Sequence, residues 1–233
     1  MRGLKDKRVL ITGGAGGIGL ATARRFLEER ARVAILDRDP KACQRAREEL
    51  PALSGILGAD VADDRAVAHA FKELDTLFGG LDILFNNAGV IRRADVLTTT
   101  EEEWDRVMAV NVKSVFLMSK YAVPHMERRG GGAIINMSSG WGLKGGEKAV
   151  AYCASKGAVT NMTRAMAIDH RKQNIRVNAV CPGDTDTPML RNEAKQLGWP
   201  EQEFMTEAAA RPLGRCGEPE EIARAVLFLA SDA

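Results

Sequence analysis

Short runs that are apolar almost throughout punctuate the chain at residues 8–12, 32–36, 55–58, 81–85, 133–136 and 175–180. Each is too short for a helix, and most lack the polar alternation of a half-exposed strand, as strands covered on both faces do. Longer segments with apolar residues at helical spacing lie between them. Several of these carry start signals: Asp63 or Asp64 caps 65–78, the threonines at 98–100 precede acidic Glu101-Glu102-Glu103, and Pro219-Glu220-Glu221 opens the last helix. The alternation predicts βαβ units in a doubly wound, mostly parallel sheet, with ligands at the carboxyl ends of the strands.

No repeat, low-complexity tract or linker interrupts this pattern. Gly130-Gly131-Gly132 reads as a tight helix-to-strand connection, because apolar structure resumes at once. A chain of 233 residues with 45% hydrophobic content fits one domain, residues 1–233. Its 33 basic and 31 acidic residues nearly cancel and are spread along the chain. That leaves no footprint for nucleic acid or an anionic membrane, so a small molecule is the expected partner. The charged start has no cleavable apolar leader, and no run approaches the roughly 20 apolar residues of a spanning helix, so a cytoplasmic protein is expected. The four cysteines lie apart without a C-x-x-C pair and read as reduced thiols, and the three scattered histidines offer no metal site.

Candidate chemistry begins where the first strand ends. Thr12-Gly13-Gly14-Ala15-Gly16-Gly17-Ile18-Gly19 opens the helical segment 20–29. Glycines there let backbone approach a pyrophosphate closely, and the helix start supplies unpaired N–H groups and a favourable dipole. Gly13, Gly17, Ile18 and Gly19 are the expected contacts. Asp37 ends the second strand, where a carboxylate accepts from ribose hydroxyls and repels a 2′-phosphate. With Ala15 adding no positive charge to the loop, the reading is NAD rather than NADP, although adjacent Arg38 blunts the distinction. Asp60-Val61 ends the third strand and Asn86-Asn87-Ala88-Gly89 the fourth.

Tyr152 and Lys156 are four residues apart, a spacing that puts both on one helix face. A phenol, with an unperturbed pKa of about 10, needs a nearby positive charge to accept a proton at neutral pH, and Lys156 is placed to supply it. Ser139 ends the fifth strand thirteen residues earlier and can donate to a substrate oxygen on which charge develops. No G-x-S-x-G elbow and no suitably placed histidine accompany these groups, which rejects a serine hydrolase.

These motifs, in this order, resemble the short-chain dehydrogenases/reductases: T-G-x-x-x-G-x-G at Thr12 to Gly19, N-N-A-G at Asn86 to Gly89, Asn111, Ser139, Y-x-x-x-K at Tyr152 to Lys156, and Pro182-Gly183. The resemblance runs from about Lys7 to the end. It implies a Rossmann-type three-layer α/β/α fold and interconversion of a secondary alcohol and a ketone with NAD(H). By resemblance Tyr152 is the general acid/base, Ser139 orients the substrate oxygen, and Lys156 lowers the tyrosine pKa and holds the nicotinamide ribose. Asn111 is similar to the residue that supports a proton-relay water. Asp60, Val61, Asn87, Ala88, Gly89, Pro182, Gly183 and Thr187 join the cofactor contacts. Ser138 is an alternative to Ser139, which the family spacing selects.

The resemblance makes 189–211 a substrate cover, read as a mobile lid, and puts pocket walls at 91–95 and 141–148. Arg92, Arg93, Lys144 and Lys148 read as a solvated rim. The chain stops at Ser231-Asp232-Ala233, where the resemblance implies a seventh strand and a tail, and a homotetramer or homodimer is expected. Two alternatives stand beside this reading: an NADPH-dependent reductase similar to the 3-oxoacyl carrier-protein reductases, and a catalytically silent dinucleotide-binding regulatory module.

Overall fold

In the computed structural model, which describes residues 1–233, all six expected strands form: β1 (Arg8–Thr12), β2 (Arg32–Asp37), β3 (Gly55–Gly58), β4 (Ile83–Asn86), β5 (Gly132–Met137) and β6 (Ile175–Val180). They make a single parallel sheet in the order β3-β2-β1-β4-β5-β6. The order reverses between β1 and β4, so a crevice opens there at the carboxyl edge.

Apolar runs without alternation are explained by the two faces they must cover. Val9, Ile11, Val33, Ile35, Phe85 and Ile135 face one core, and the intervening Leu10, Ala34, Leu36, Leu84 and Ile134 face the other. The first core is closed by α1 (Gly17–Glu28), α2 (Pro40–Glu49) and α9 (Pro219–Ala230). The second is closed by α3 (Asp64–Phe78) and α5 (Ser114–Glu127), beside α4 (Glu101–Met108) and α6 (Val150–Asp169). These layers make the three-layer α/β/α arrangement on one sheet. α7 (Pro188–Leu197) and α8 (Glu201–Ala209) stand apart, with a small cluster of their own around Leu190, Ala194, Phe204 and Ala208.

The start signals correspond to real caps. Asp63 accepts from Arg65 N and Ala66 N at the start of α3, and Thr100 and Glu103 form a capping box at the start of α4. β4 begins two residues later than expected. Asp82 instead spends its carboxylate on Arg8 N, 2.9 Å away, and on the Arg129 side chain. Between α4 and α5 the helix widens into a π turn, Ala109–Lys113, which no sequence signal marked.

Candidate active site

The loop after β1 is held by two devices. Thr12, almost fully buried, accepts through its hydroxyl from the amides of Asn87 (3.0 Å) and Ala88 (3.1 Å). The Asn87 side chain donates back to the carbonyls of Thr12 and Gly13, both at 3.0 Å. The ends of β1 and β4 are thereby stapled together at the point where the strand order reverses. Glycine is required at two positions here. Gly13 has φ +60°, and a Cβ on it would meet Ala88 Cα at 2.9 Å; a Cβ on Gly19 would lie 2.2 Å from the Gly13 carbonyl oxygen.

One cavity of about 950 Å³ runs from this loop across the carboxyl edge of the sheet. Gly13, Gly17, Ile18, Asp37, Asp60, Val61, Asn87, Ala88 and Gly89 line it, as do Pro182, Gly183 and Thr187. Among the expected nucleotide contacts, Gly19 alone is not on its wall and acts instead by allowing the turn. The start of α1 fits an anionic group: its N-cap, Gly16, offers no side-chain cap, so the first-turn amides face the cavity unspent, and a Cβ on Gly16 would meet nothing within 4 Å. Thr187 lies across the cleft, its Cγ2 3.6 Å from where a Gly17 Cβ would stand, and its hydroxyl caps α7 at Leu190 N.

Asp37 is tied by both oxygens, to Ala15 N at 3.2 Å and to Asp39 N at 3.1 Å, so its carboxylate is fixed at the end of β2. Arg38, whose charge blunted the reading of Asp37, is drawn toward Asp60, 3.6 Å away. Arg45 also lines this end of the cavity and was not anticipated, because nothing in the spacing of α2 marks it.

At the other end stand Ser139, Tyr152 and Lys156, all on the cavity wall. The two serines divide their tasks as consecutive residues at a strand end should, since they point to opposite faces. Ser138 is buried and bonds Lys156 O (2.9 Å) and Thr160 Oγ1 (2.6 Å), fixing α6 to the end of β5. Ser139 accepts from Trp141 N at 3.1 Å, and its hydroxyl faces the Tyr152 phenol as a donor. Lys156 is buried, donates to Met137 O at 2.8 Å, and lies 5.6 Å from the Tyr152 ring centre.

Burial works against the expected lowering of the tyrosine pKa. Burial pushes the Tyr152 phenol up to about 12; Ser139 opposes this, while Glu193, Cys153 and Asp184 add to it. Burial likewise brings the Lys156 ammonium down to about 8. Helix spacing brought the pair together as expected, but the same burial withdraws the water that would stabilise a phenolate.

Asn111 sits fully buried in the π turn. Its oxygen accepts from Val90 N (2.8 Å), and its two amide hydrogens go to Val90 O and Ser155 Oγ, both at 2.9 Å. It therefore braces the loop after β4 against α6, and its side-chain donors are fully used. Gly89 brings the backbone in beside it: a Cβ there would stand 3.4 Å from both Asn111 Oδ1 and Lys156 Nζ.

The substrate end is walled by Val90, Ile91, Trp141, α7 and α8, with Lys144 and Lys148 exposed at its rim as expected. Arg93 is not a rim residue. Its side chain is 10% exposed and pairs at 2.8 Å with Glu193, itself 8% exposed, while Arg92 turns to Glu103 on α4. The sequence carried one signal of this: Glu193 is an acid inside the apolar stripe Leu190, Ala194, Leu197 of α7.

A family model described as enoyl-(acyl carrier protein) reductase matches residues 13–233. A meso-2,3-butanediol dehydrogenase of Serratia marcescens is 41% identical over 97% of this chain and 88% of its own length. A 3-oxoacyl-(acyl-carrier-protein) reductase FabG of Thermotoga maritima is 38% identical over 98% of the chain and 92% of its own. A crystal structure of levodione reductase superposes with a TM-score of 0.93 at 33% identity, covering 98% of this chain and 92% of that one.

Proposed function

The chain belongs to the short-chain dehydrogenase/reductase family, oxidoreductases that bind a nicotinamide dinucleotide, and from that premise we propose that it interconverts a secondary alcohol and a ketone with NAD(H). The observation that carries the reading is the single cavity in which an uncapped helix start and Asp37 lie at one end and Ser139, Tyr152 and Lys156 at the other. When bound, the nicotinamide supplies the hydride chemistry at the substrate carbon.

The protein's own residues manage the substrate oxygen. Tyr152 exchanges the proton there, and Ser139, whose hydroxyl stands beside the phenol, donates to that oxygen as charge develops on it. Lys156 holds a positive charge beside the phenol at neutral pH and holds the nicotinamide ribose. Asn111 supports proton relay by fixing the Val90 loop against α6 rather than through its side-chain amide hydrogens, which are spent. Gly13, Gly17, Ile18 and Gly19 form the pyrophosphate loop, with Asp60, Val61, Asn87, Ala88 and Gly89 on the adenosine side and Pro182, Gly183 and Thr187 toward the nicotinamide. With its phenol pushed up to about 12 by burial, Tyr152 stands as a proton donor at neutral pH, so ketone reduction needs no prior ionisation and alcohol oxidation accelerates as pH rises.

Asp37 favours NAD over NADP, because a fixed carboxylate at the end of β2 repels a 2′-phosphate while Asp60 engages Arg38. No helix is long and apolar enough to cross a membrane, and a cytoplasmic protein with free thiols is the accompanying reading. Assembly as a homodimer or homotetramer through the helices after β4 and β5 is supported by Phe116 on α5 and Ile168 on α6, large apolar side chains that are both exposed. Light scattering on the eluting protein reads the assembly directly.

The test of function is turnover of NAD against a panel of secondary alcohols, with NADH and NADPH affinities read from fluorescence titration. NADH binding at least about tenfold tighter than NADPH, with turnover, is expected. NADPH preference would reverse the cofactor assignment and favour the carrier-protein reductase reading. NADH binding with no turnover of any alcohol or ketone would leave the silent dinucleotide-binding module.

A further inference from the structure

The Arg93–Glu193 pair is the more buried of the two ion pairs in the substrate chamber, and the chemistry above does not use it. Arg93 donates from Nη1 to Glu193 Oε2 at 2.8 Å, from Nη2 to Glu147 O at 3.0 Å and from Nε to Lys148 O at 3.3 Å. A guanidinium has five N–H groups, so two remain unspent. Glu193 Oε2 is taken by Arg93, and Oε1 receives nothing from the protein. Both residues line the same cavity as Ser139 and Tyr152. The guanidinium lies 5.1 Å over the Trp141 ring, and that ring packs edge-on to Tyr152 with centres 6.1 Å apart. Arg93 and Tyr152 thus share Trp141 as a common neighbour, and the Glu193 charge bears on the phenol without a hydrogen bond to it.

We infer that the Arg93–Glu193 pair recognises hydroxyl groups of a neutral polyhydroxylated substrate, away from the carbon that reacts. The inference rests on the alcohol dehydrogenase reading of this cavity. An apolar substrate would leave the spare N–H groups and Glu193 Oε1 dry and unpaired, at a cost comparable to lost hydrogen bonds to charged groups. An anionic substrate meets no free cation at the depth of the pair: Lys144 and Lys148 stand at the exposed rim of the chamber. Arg93 is matched by Glu193 at 2.8 Å and Arg211 by Asp184 at 2.7 Å, while Lys144 and Lys148 share the exposed rim with Glu147. Hydroxyl groups satisfy both halves of such a pair, accepting from the guanidinium and donating to the carboxylate. Glu193 acts on the Tyr152 phenol through its charge and makes no hydrogen bond to it, so the hydroxyls the pair receives are other than the one that reacts.

The pair also clasps α7 to the loop after β4, where Gln196 Oε1 accepts from Arg93 N at 2.9 Å, so the test must separate recognition from support. The probes are a hexitol and hexan-2-ol, which share a six-carbon backbone, with 5-hydroxyhexanoate as the anionic counterpart. Wild-type kcat/KM is expected to favour the hexitol over both by more than about tenfold. The double variant Arg93→Met/Glu193→Leu, which replaces a buried pair by apolar groups of similar size, is expected to erase most of that preference through the hexitol KM. Glu193→Gln keeps the shape, loses the charge-assisted acceptor, and is expected to weaken the preference by about threefold or more. Thermal midpoints and NADH titrations identify any variant that fails to fold. A hexitol preference unchanged in both folded variants overturns the inference and leaves the pair a clasp. A wild-type preference for 5-hydroxyhexanoate or for hexan-2-ol overturns it as well. Absence of turnover on any alcohol while NADH still binds removes the dehydrogenase reading itself, and this inference with it.

Discussion

Replacing Thr12 with Val tests whether the site depends on a single buried hydroxyl. The two side chains have nearly the same shape, so packing at the end of β1 is preserved and only the acceptor is lost. That acceptor serves two backbone amides, Asn87 N at 3.0 Å and Ala88 N at 3.1 Å, in a residue 2% exposed. Each orphaned buried amide costs about 1–3 kcal/mol, so the loss should be about 3 kcal/mol or somewhat more. For a chain of this length that lowers the thermal midpoint by roughly 6–12 °C. Thr12→Ser keeps the oxygen and removes one methyl, at about 1 kcal/mol. The assay is thermal or urea unfolding of both variants, with NADH titration in parallel, because Asn87 and Ala88 line the cavity and their displacement weakens binding. A Thr12→Val midpoint within about 2 °C of wild type, or a Ser variant as unstable as the Val variant, would refute the staple.

Tyr152→Phe should retain NADH binding while turnover falls by about 10²–10⁴, because the proton-exchanging hydroxyl goes and the ring stays; near wild-type turnover would remove Tyr152 from its role. The neighbouring serines should separate in kind: Ser139→Ala lowers turnover, whereas Ser138→Ala, which loses bonds to Lys156 O and Thr160, lowers the unfolding free energy by about 1–3 kcal/mol. The reverse pattern would exchange their assignments. Lys156 links stability to pH. Its folded value of about 8 lies below the ordinary 10.5, so between those values the unfolded chain binds the extra proton and stability rises with pH. Tyr152, raised from 10.0 to about 12, acts in the opposite sense only above pH 10. Urea unfolding from pH 8 to 10 should show this rise in wild type and lose it in Lys156→Met; equal slopes would contradict the burial of a charged Lys156.

The strands were legible because a sheet covered on both faces leaves no room for polar alternation, and the six runs carried that constraint in their composition. Their ends were less so. β5 reaches from Gly132 to Met137 because β6 offers it partners from Ile175 to Val180, a registration that no local propensity encodes. β4 proper starts only at Ile83, and Asp82 before it ties the strand start to Arg8 and Arg129, far away in sequence, through its carboxylate. The π turn at Ala109–Lys113 had no local mark either. It accompanies the tertiary bonds of Asn111, which join Val90 and Ser155 across the fold.

Within the site, spacing gave proximity and left the dielectric undetermined. Four residues along a helix were enough to put Lys156 beside Tyr152, and a lysine beside a phenol in water lowers its pKa. Whether it does so here depends on how much water the fold removes from both. With Lys156 3% exposed and held by Met137 O, desolvation moves the two groups in opposite directions, the phenol to about 12 and the ammonium to about 8. Their ordinary values nearly coincide, so burial itself sets which group gives up a proton first: the lysine. The arrangement therefore keeps the proton on Tyr152 through neutral pH, next to the oxygen it serves. The same reasoning explains Arg93 and Glu193. A run of charged positions looks like a solvated rim until α7 folds over it, and then one of those charges has to find a partner inside the chamber.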